Sequence, residues 1–75
     1  MRVVINNEEI GNRIKTIREK ANISLNDLSK NIGISKNVLV LYEEGNKQIN
    51  ITNVIKICNY FNEKIDNLVS YKILH

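Results

Sequence analysis

The residues of this 75-residue chain that are best suited to recognising a partner lie in the stretch SKNVLVLYEEG, residues 35–45. The stretch predicts a helix over about 36–44, capped by Ser35 and ended by Gly45. At about 100° per residue, the helix would turn one set of side chains inward: Leu39, Tyr42 and Glu43. The outward set then combines amide, aliphatic and carboxylate groups, with Lys36 and Val38 on the flanks: Asn37, Val40, Leu41 and Glu44. Because half of this face is apolar, we expect it to bind a partner.

No constellation in the sequence points to catalysis. The single cysteine, Cys58, falls at a core-facing helical position, and the single histidine, His75, ends the chain. The acidic pairs Glu8-Glu9 and Glu43-Glu44 are adjacent and do not converge, so they do not form a general acid and base. We therefore expect a protein that is not an enzyme, with no cofactor and no metal.

Composition sets the broad class. The chain is long enough for one domain, residues 1–75, with 43% hydrophobic and 25% charged residues. A domain of this size leaves much of its surface exposed, which makes a homodimer plausible. The net charge of +3 permits a polyanionic partner. A lone cysteine, no apolar run of about 20 residues and no export signal favour a cytoplasmic protein without a membrane partner.

Local signals divide the chain into five short helices. Asn6 or Asn7, Ser24, Ser35 and Asn50 are capping residues that precede helical patterns. Gly33, Gly45 and Asn62 are suited to left-handed stops. The predicted helices are about 7–21, 25–32, 36–44, 51–61 and 65–69. In the fourth, Val54, Ile57, Cys58 and Phe61 form an apolar stripe that Ile51 and Ile55 widen; in the fifth, we expect Ile65 and Leu68 in the core.

The two ends of the chain break the helical pattern. Residues 2–5 and 71–74 are rich in β-forming side chains. Since chain ends often lie close together, they could pair as a small antiparallel two-stranded ribbon packed on a helix or on a second subunit. Frayed termini are the alternative, and the sequence leaves both open.

The second and third helices fit the requirements of a helix-turn-helix. Two helices that cross steeply through a short turn need a small residue at the crossing, a glycine at the turn and apolar residues that fix both helices. Ser29 is the small residue and Gly33 lies at the turn. The apolar positions are filled by Leu28, Ile32, Ile34, Leu39 and Tyr42.

From about Ile10 to Val69 the chain resembles the phage repressor and Cro family of helix-turn-helix proteins. IGNRI at residues 10–14, IRE at 17–19, residues 24–34 and YEEG at 42–45 match its first three helices. ICNYF at 57–61 and IDNL at 65–68 fall where the family has its last two. The resemblance implies an all-α fold like that of lambda repressor, and binding to double-stranded DNA. It also implies a buried ion pair between Arg18 and Glu43.

The resemblance places base contacts on the third helix, at Lys36, Asn37, Val40 and Leu41. Members of the family more often carry Gln, Ser, Thr or Arg there. Two accounts follow from this departure. In one, Val40 and Leu41 contact thymine methyl groups, Asn37 binds adenine and Lys36 reaches guanine or phosphate. In the other, the apolar face docks on a protein partner, and Glu44 favours this account slightly because a phosphate backbone repels it.

Contacts to the phosphate backbone are expected at two places. One is the amino end of the second helix, at Leu25 and Asn26. The other is the loop after the third helix, at Asn46, Lys47, Gln48 and Asn50. The chain departs from the family at both, with Leu25 where Gln is usual and Ile49 where Pro is frequent.

These inferences together predict a dimeric repressor of transcription that binds a two-fold-symmetric DNA site. We expect its dimer interface to use the fifth helix and the terminal segments, at Val4, Val69, Tyr71 and Ile73. The alternative is a protein-interaction module, an antirepressor or antitoxin-like partner binder, that uses the same face of the third helix.

Overall fold

A computed structural model describes the backbone of residues 2–69 and 71–74 and the side chains of residues 6–69. Five helices follow one another in the order α1 (Asn7–Lys20), α2 (Leu25–Ile32), α3 (Lys36–Glu43), α4 (Ile51–Phe61) and α5 (Ile65–Leu68). The prediction of five helices with a central helix-turn-helix is confirmed. Their bounds differ from the predicted ones by one residue, at the carboxyl ends of α1, α3 and α5.

Two short strands flank the helices, β1 (Arg2–Ile5) and β2 (Tyr71–Leu74). They pair antiparallel, with Val3 opposite Ile73 and Val4 opposite Lys72. The first and last described segments of the chain therefore lie side by side.

Four of the five helices, α1 to α4, begin at a residue whose side chain caps them. Asn6, Ser24, Ser35 and Asn50 each accept a hydrogen bond from the backbone N–H three residues later, at distances of 2.8–3.2 Å. Such caps satisfy donors that the first turn of a helix leaves unpaired. Gly33 and Asn62 end α2 and α4 in the left-handed conformation, with φ of 71° and 55°. The predicted stops at these two residues are confirmed.

One apolar core joins all five helices. Its members are nearly inaccessible to solvent and come from every helix and from the turn between α2 and α3: Ile10, Ile14, Leu28, Ile34, Leu39, Tyr42, Val54, Ile57, Cys58 and Leu68. The prediction that Ile65 lies in the core is wrong, since it is 44% exposed. Ile51 and Ile55, which widen the apolar stripe of α4, are 63% and 42% exposed and lie outside the core. In α5, a single turn long, only Leu68 reaches the core.

Helix α1 meets the end of α3 at Gly11. A Cβ atom at this position would collide with the carbonyl oxygen of Tyr42 and lie 2.8 Å from that of Glu43. Because both contacts are with backbone atoms, only a residue without a side chain allows the two helices to approach this closely. Gly11 therefore helps to set the position of α3 on the core.

Within the described part of the chain, no helix is long and apolar enough to cross a membrane.

Candidate nucleic-acid interface

The third helix exposes one face along its whole length. Lys36, Asn37, Leu41 and Glu44 are exposed, and Val40, which lies between them on the helical wheel, is half-buried. At about 100° per residue these five positions span an arc of about 140°. The structure thus brings together on one surface the four predicted base-contacting residues and the carboxylate of Glu44.

The opposite side of α3 is fixed by apolar packing. Leu39 is fully buried and Tyr42 is 2% exposed. Val38, predicted on the flank of the outward face, packs partly against the core. The Tyr42 hydroxyl accepts a hydrogen bond of 2.8 Å from the side-chain amide of Asn53 on α4. This bond has no signal in the sequence, since nothing local to either residue points to the other.

An ion pair holds the last turn of α3 to α1. Nε of Arg18 donates to Oε2 of Glu43 at 2.7 Å, and Nη2 donates to Oε1 at 3.0 Å. The two side chains are only 13% and 7% exposed. The hydrogen bond to Glu43 raises the pKa of Arg18, against the opposing effect of burial. The guanidinium therefore stays charged, and it fixes α3 through a planar, two-bond contact.

The same guanidinium reaches the segment that leads into α2. Nη1 of Arg18 donates to the carbonyl oxygen of Ile23 at 2.9 Å. Ile23 directly precedes Ser24, the cap of α2. One side chain thus connects α1 to the start of α2 and to the end of α3.

The turn between α2 and α3 is closed by a side-chain hydrogen bond. The Ser29 hydroxyl donates to the carbonyl oxygen of Ile34 at 2.6 Å. Ser29, the small residue predicted at the helix crossing, thus also fixes the turn that sets the angle between α2 and α3.

The amino end of α2 has some groups that favour the binding of an anion and one that opposes it. The N–H of Asp27 is bound by the Ser24 hydroxyl, and Leu28 makes the first intrahelical bond, so Leu25 and Asn26 have no acceptor within their own helix. The Asn26 side chain is exposed, whereas Leu25 is half-buried against the core. The exposed carboxylate of Asp27 in the same turn opposes anion binding. Only Asn26 and the two N–H groups could contact a phosphate here.

The loop after α3 is held close to that helix. The Gly45 N–H donates to the Tyr42 carbonyl oxygen and the Asn46 N–H to that of Leu41, while Gly45 has a φ of 75°. This pattern closes the end of a helix with a left-handed residue. Asn46, Lys47, Gln48 and Asn50 are all exposed. Oδ1 of Asn50 caps α4. The side-chain NH2 group of Asn50 remains available to donate a hydrogen bond to a phosphate.

The residues predicted for the dimer interface lie near the two ends of the chain. Val69 is half-buried and lines an apolar cleft of about 150 Å³ together with Ile10, Ile51 and Val54. Val4, Tyr71 and Ile73 lie in the ribbon, where the backbone pairing is defined; their side chains are outside the described residues.

Exposed apolar side chains on α4 and α5 were not foreseen. Of the large hydrophobic residues described, the exposed ones are Leu41 on α3 and Ile51, Ile55, Tyr60 and Ile65 on α4 and α5. The sequence of α4 indicates such exposure, because its apolar residues cover a wider arc of the helix than one buried stripe requires.

Comparison with known proteins identifies relatives with this architecture. The sequence matches the family described as Helix-turn-helix over residues 14–68. An uncharacterized helix-turn-helix-type transcriptional regulator of Archaeoglobus fulgidus is 32% identical over 75% of this chain and 79% of its own. Another, from Methanocaldococcus jannaschii, is 28% identical over 81% of this chain and 92% of its own.

A solved structure has the same fold. A helix-turn-helix transcriptional regulator from Vibrio cholerae superposes with a TM-score of 0.78 over 84% of this chain, at 24% identity. This chain spans only 35% of the length of that protein. The likeness therefore concerns the fold of the helix-turn-helix domain.

Proposed function

Because the chain belongs to the helix-turn-helix family of the phage repressor and Cro type, we propose that it is a dimeric repressor that reads duplex DNA with α3. Members of this family are DNA-binding regulators of transcription, and it is not an enzyme family. The observation that carries the proposal is the exposed face of α3 on a helix that is fixed on its other side. Leu39, Tyr42 and the Arg18–Glu43 pair hold the helix, so the face can meet a partner without rearrangement.

Base contacts fall on this face. In a helix-turn-helix, the second helix of the motif, which is α3 here, approaches the base edges in the major groove with its amino-terminal part. Lys36 and Asn37 occupy the first turn of α3, where an ammonium can bind guanine or phosphate and a carboxamide can bind adenine. Val40 and Leu41 follow one turn later and supply apolar contacts.

Contacts to phosphates flank the bases. Asn26 with the first-turn N–H groups of α2 lies on one side, and the loop residues Asn46, Lys47, Gln48 and Asn50 lie on the other. Such contacts supply most of the affinity and do not depend on sequence. Since Leu25 packs on the core, its contribution is limited to its backbone N–H.

A homodimer would place two copies of α3 about 34 Å apart, on successive turns of one face of the duplex. The proposed interface uses Val69 of the α5 end together with Val4, Tyr71 and Ile73 of the ribbon. Ile51, which is 63% exposed, lines the same cleft as Val69 and adds apolar surface there. Val4 and Ile73 are not paired with each other in the ribbon, so Val4→Asp and Ile73→Asp test it at two separate register positions. A dimer that survives both substitutions in sedimentation would exclude this interface.

The second candidate is a module that binds a protein through the same face. The exposure of Leu41, 38% for an apolar side chain, and the carboxylate of Glu44 favour it. The two candidates differ in their response to salt. Binding through several phosphates weakens steeply as the salt concentration rises, with a slope of about −0.9 per contact on a log–log scale. Apolar docking does not weaken in this way.

The deciding experiment is selection of bound duplexes from a randomised pool at near-physiological salt. The expected result is an enriched inverted repeat whose half-sites lie one helical turn apart. Asn37→Ala and Leu41→Ala should alter or abolish that enrichment, since both residues are on the exposed face. No enrichment above non-specific binding would reject the proposal and favour a protein partner. Placing the enriched site over a reporter promoter then measures the sign of regulation, and repression is expected.

A further inference from the structure

The loop between α3 and α4 is fixed by backbone contacts where it begins. The N–H groups of Gly45 and Asn46 donate to carbonyl oxygens of α3, at 3.1 and 2.9 Å. A Cβ atom at Gly45 would lie 2.8 Å from Cα of Glu8, so this part of the loop also lies directly against α1. The start of the loop therefore has a fixed position relative to the exposed face of α3.

The end of the same loop is held by α4. Ile49 packs partly against the core, an apolar contact that has no preferred direction. Direction comes from the cap of α4, in which Oδ1 of Asn50 accepts a hydrogen bond of 2.8 Å from the N–H of Asn53. The side-chain NH2 group of Asn50, a proposed phosphate contact, therefore follows the position of the first turn of α4.

A side-chain hydrogen bond sets this first turn relative to α3. α3 packs along α1 and α2, whereas α4 packs along α5 and α2. The link between α3 and α4 is the 2.8 Å bond that the side-chain amide of Asn53 donates to the Tyr42 hydroxyl. Because Tyr42 is 2% exposed, its ring cannot shift without disturbing the close-packed core. The hydroxyl is thus a fixed point to which Asn53 attaches α4.

We infer that Asn53 is a positioning residue for DNA recognition, an inference that rests on the proposed function. Its side chain bonds to α3, which carries the proposed base contacts, and its N–H bonds to Asn50 at the end of the loop that carries phosphate contacts. Phosphate contacts fix the register of a protein on the duplex, and base edges are read in that register. Asn53 keeps the two sets of contacts at the spacing at which both are made at once.

Loss of this connection should affect specific binding more than non-specific binding. A specific complex needs the base and phosphate contacts together, whereas a non-specific complex forms with the phosphates alone. Asn53→Ala should weaken binding to the duplex enriched by the selection by about fivefold, the effect of losing one hydrogen bond. Binding to a scrambled duplex should change by less than about twofold, since the phosphate contacts remain available one by one.

Further variants assign the effect to the hydrogen bond. Tyr42→Phe should lower the ratio of specific to non-specific affinity as Asn53→Ala does, and the double variant should lower it no further. In Asn53→Asp the carboxylate can accept a hydrogen bond from the Tyr42 hydroxyl. Its ratio should stay close to that of the wild type, although the added charge weakens binding to both duplexes. Asn59→Ala, which changes an exposed asparagine of the same helix, is the matched control and should leave both affinities unchanged.

Fluorescence anisotropy with labelled duplexes measures the affinities, and circular dichroism checks that each variant is folded. If Asn53→Ala does not fold, Tyr42→Phe and Asn53→Asp carry the comparison. An equal loss for both duplexes would overturn the inference, because lower stability or a direct phosphate contact by Asn53 acts in that way. A lower ratio in Asn53→Ala that Tyr42→Phe does not reproduce would also overturn it.

The same experiment separates this inference from the function on which it rests. An enriched duplex whose affinity ratio is unchanged in Asn53→Ala and Tyr42→Phe would reject the role of Asn53 and leave DNA recognition standing. Absence of any enriched duplex would reject the proposed function, and the positioning role with it.

Discussion

The buried hydroxyl of Tyr42 and the side-chain amide of Asn53 form a 2.8 Å hydrogen bond that joins the end of α3 to the first turn of α4. Tyr42 is 2% exposed, whereas Asn53 is half-buried. The N–H of Asn53 is also the donor in the Asn50 cap of α4. Helix α3 and the end of the loop that follows it are thus tied to one residue of α4.

Removing the amide of Asn53 should cost more than removing the hydroxyl of Tyr42. Asn53→Ala leaves a buried hydroxyl without a partner, at a cost of about 1–3 kcal/mol in the free energy of unfolding. Tyr42→Phe leaves an amide that can still reach water, which should cost about 1 kcal/mol or less. Urea denaturation of the single variants and the double variant measures the coupling. Additive effects would show that the bond contributes nothing.

Loss of one partner of the Arg18–Glu43 pair should lower the free energy of unfolding more than loss of both partners does. Arg18→Met leaves the poorly solvated carboxylate of Glu43 without its partner, and Glu43→Gln leaves the guanidinium of Arg18 without a negative charge. Each change should lower the free energy of unfolding by about 3–5 kcal/mol. The double variant Arg18→Met/Glu43→Leu should recover part of this loss. The comparison is made by thermal and urea denaturation. Arg13→Met is the control, because the Arg13–Glu9 pair is more exposed and worth about 0–1 kcal/mol.

Some features of the fold could be predicted because they depend on nearby residues. The caps at Ser24, Ser35 and Asn50 and the stop at Gly33 each involve atoms within four residues along the chain. A polar side chain before an apolar pattern is enough to indicate them. The exposed face of α3 was likewise predictable, since the 3.6-residue period fixes which side chains oppose Leu39 and Tyr42.

Other features depend on how distant segments meet. Ile65 has the residue type of a core position, yet it is 44% exposed and only Leu68 of α5 is buried. The sequence does not indicate that Gly11 touches the carbonyl groups of α3, because a glycine can occur within a helix for several different reasons. The same holds for Asn53, whose partner lies 11 residues away on another helix. Base and phosphate contacts are a further step, since they require the ligand.

Gly11→Ala should destabilise the protein even though alanine is the better helix former. The added Cβ would meet backbone carbonyl groups of Tyr42 and Glu43 that cannot rotate away. Overpacking of this kind costs about 1–3 kcal/mol or more, against about 1 kcal/mol gained from helix propensity. Urea denaturation should show a net loss. Asn12→Ala, at the exposed neighbouring position, should be neutral or slightly stabilising; equal stability of both variants would contradict the close contact.

Burial of Cys58 should make the stability depend on pH in the alkaline range. Desolvation, and to a smaller extent the charge of Glu63, raises the pKa of the Cys58 thiol. Above the unfolded-state value of about 8.5, the unfolded chain loses this proton while the folded chain keeps it. The thiol's contribution to stability is therefore complete below that pH and declines above it. The difference in unfolding free energy between wild type and Cys58→Ala should shrink from pH 7 to pH 10; a constant difference would contradict this.

Glu44 should weaken the binding of any duplex to α3. Its side chain is exposed on the same face as Lys36 and Asn37, so it would approach the phosphate backbone and be repelled. Glu44→Gln should raise the affinity for both specific and non-specific duplexes, by roughly two- to fivefold at low salt, and the gain should diminish as salt screens the charge. Asp66→Asn makes the same change of charge at an exposed position on α5, and it should have a smaller effect. Equal gains from both variants would mean that only the net charge matters. Loss of specific binding in Glu44→Gln would show that the carboxylate accepts a hydrogen bond from a base, as it can from the amino group of cytosine.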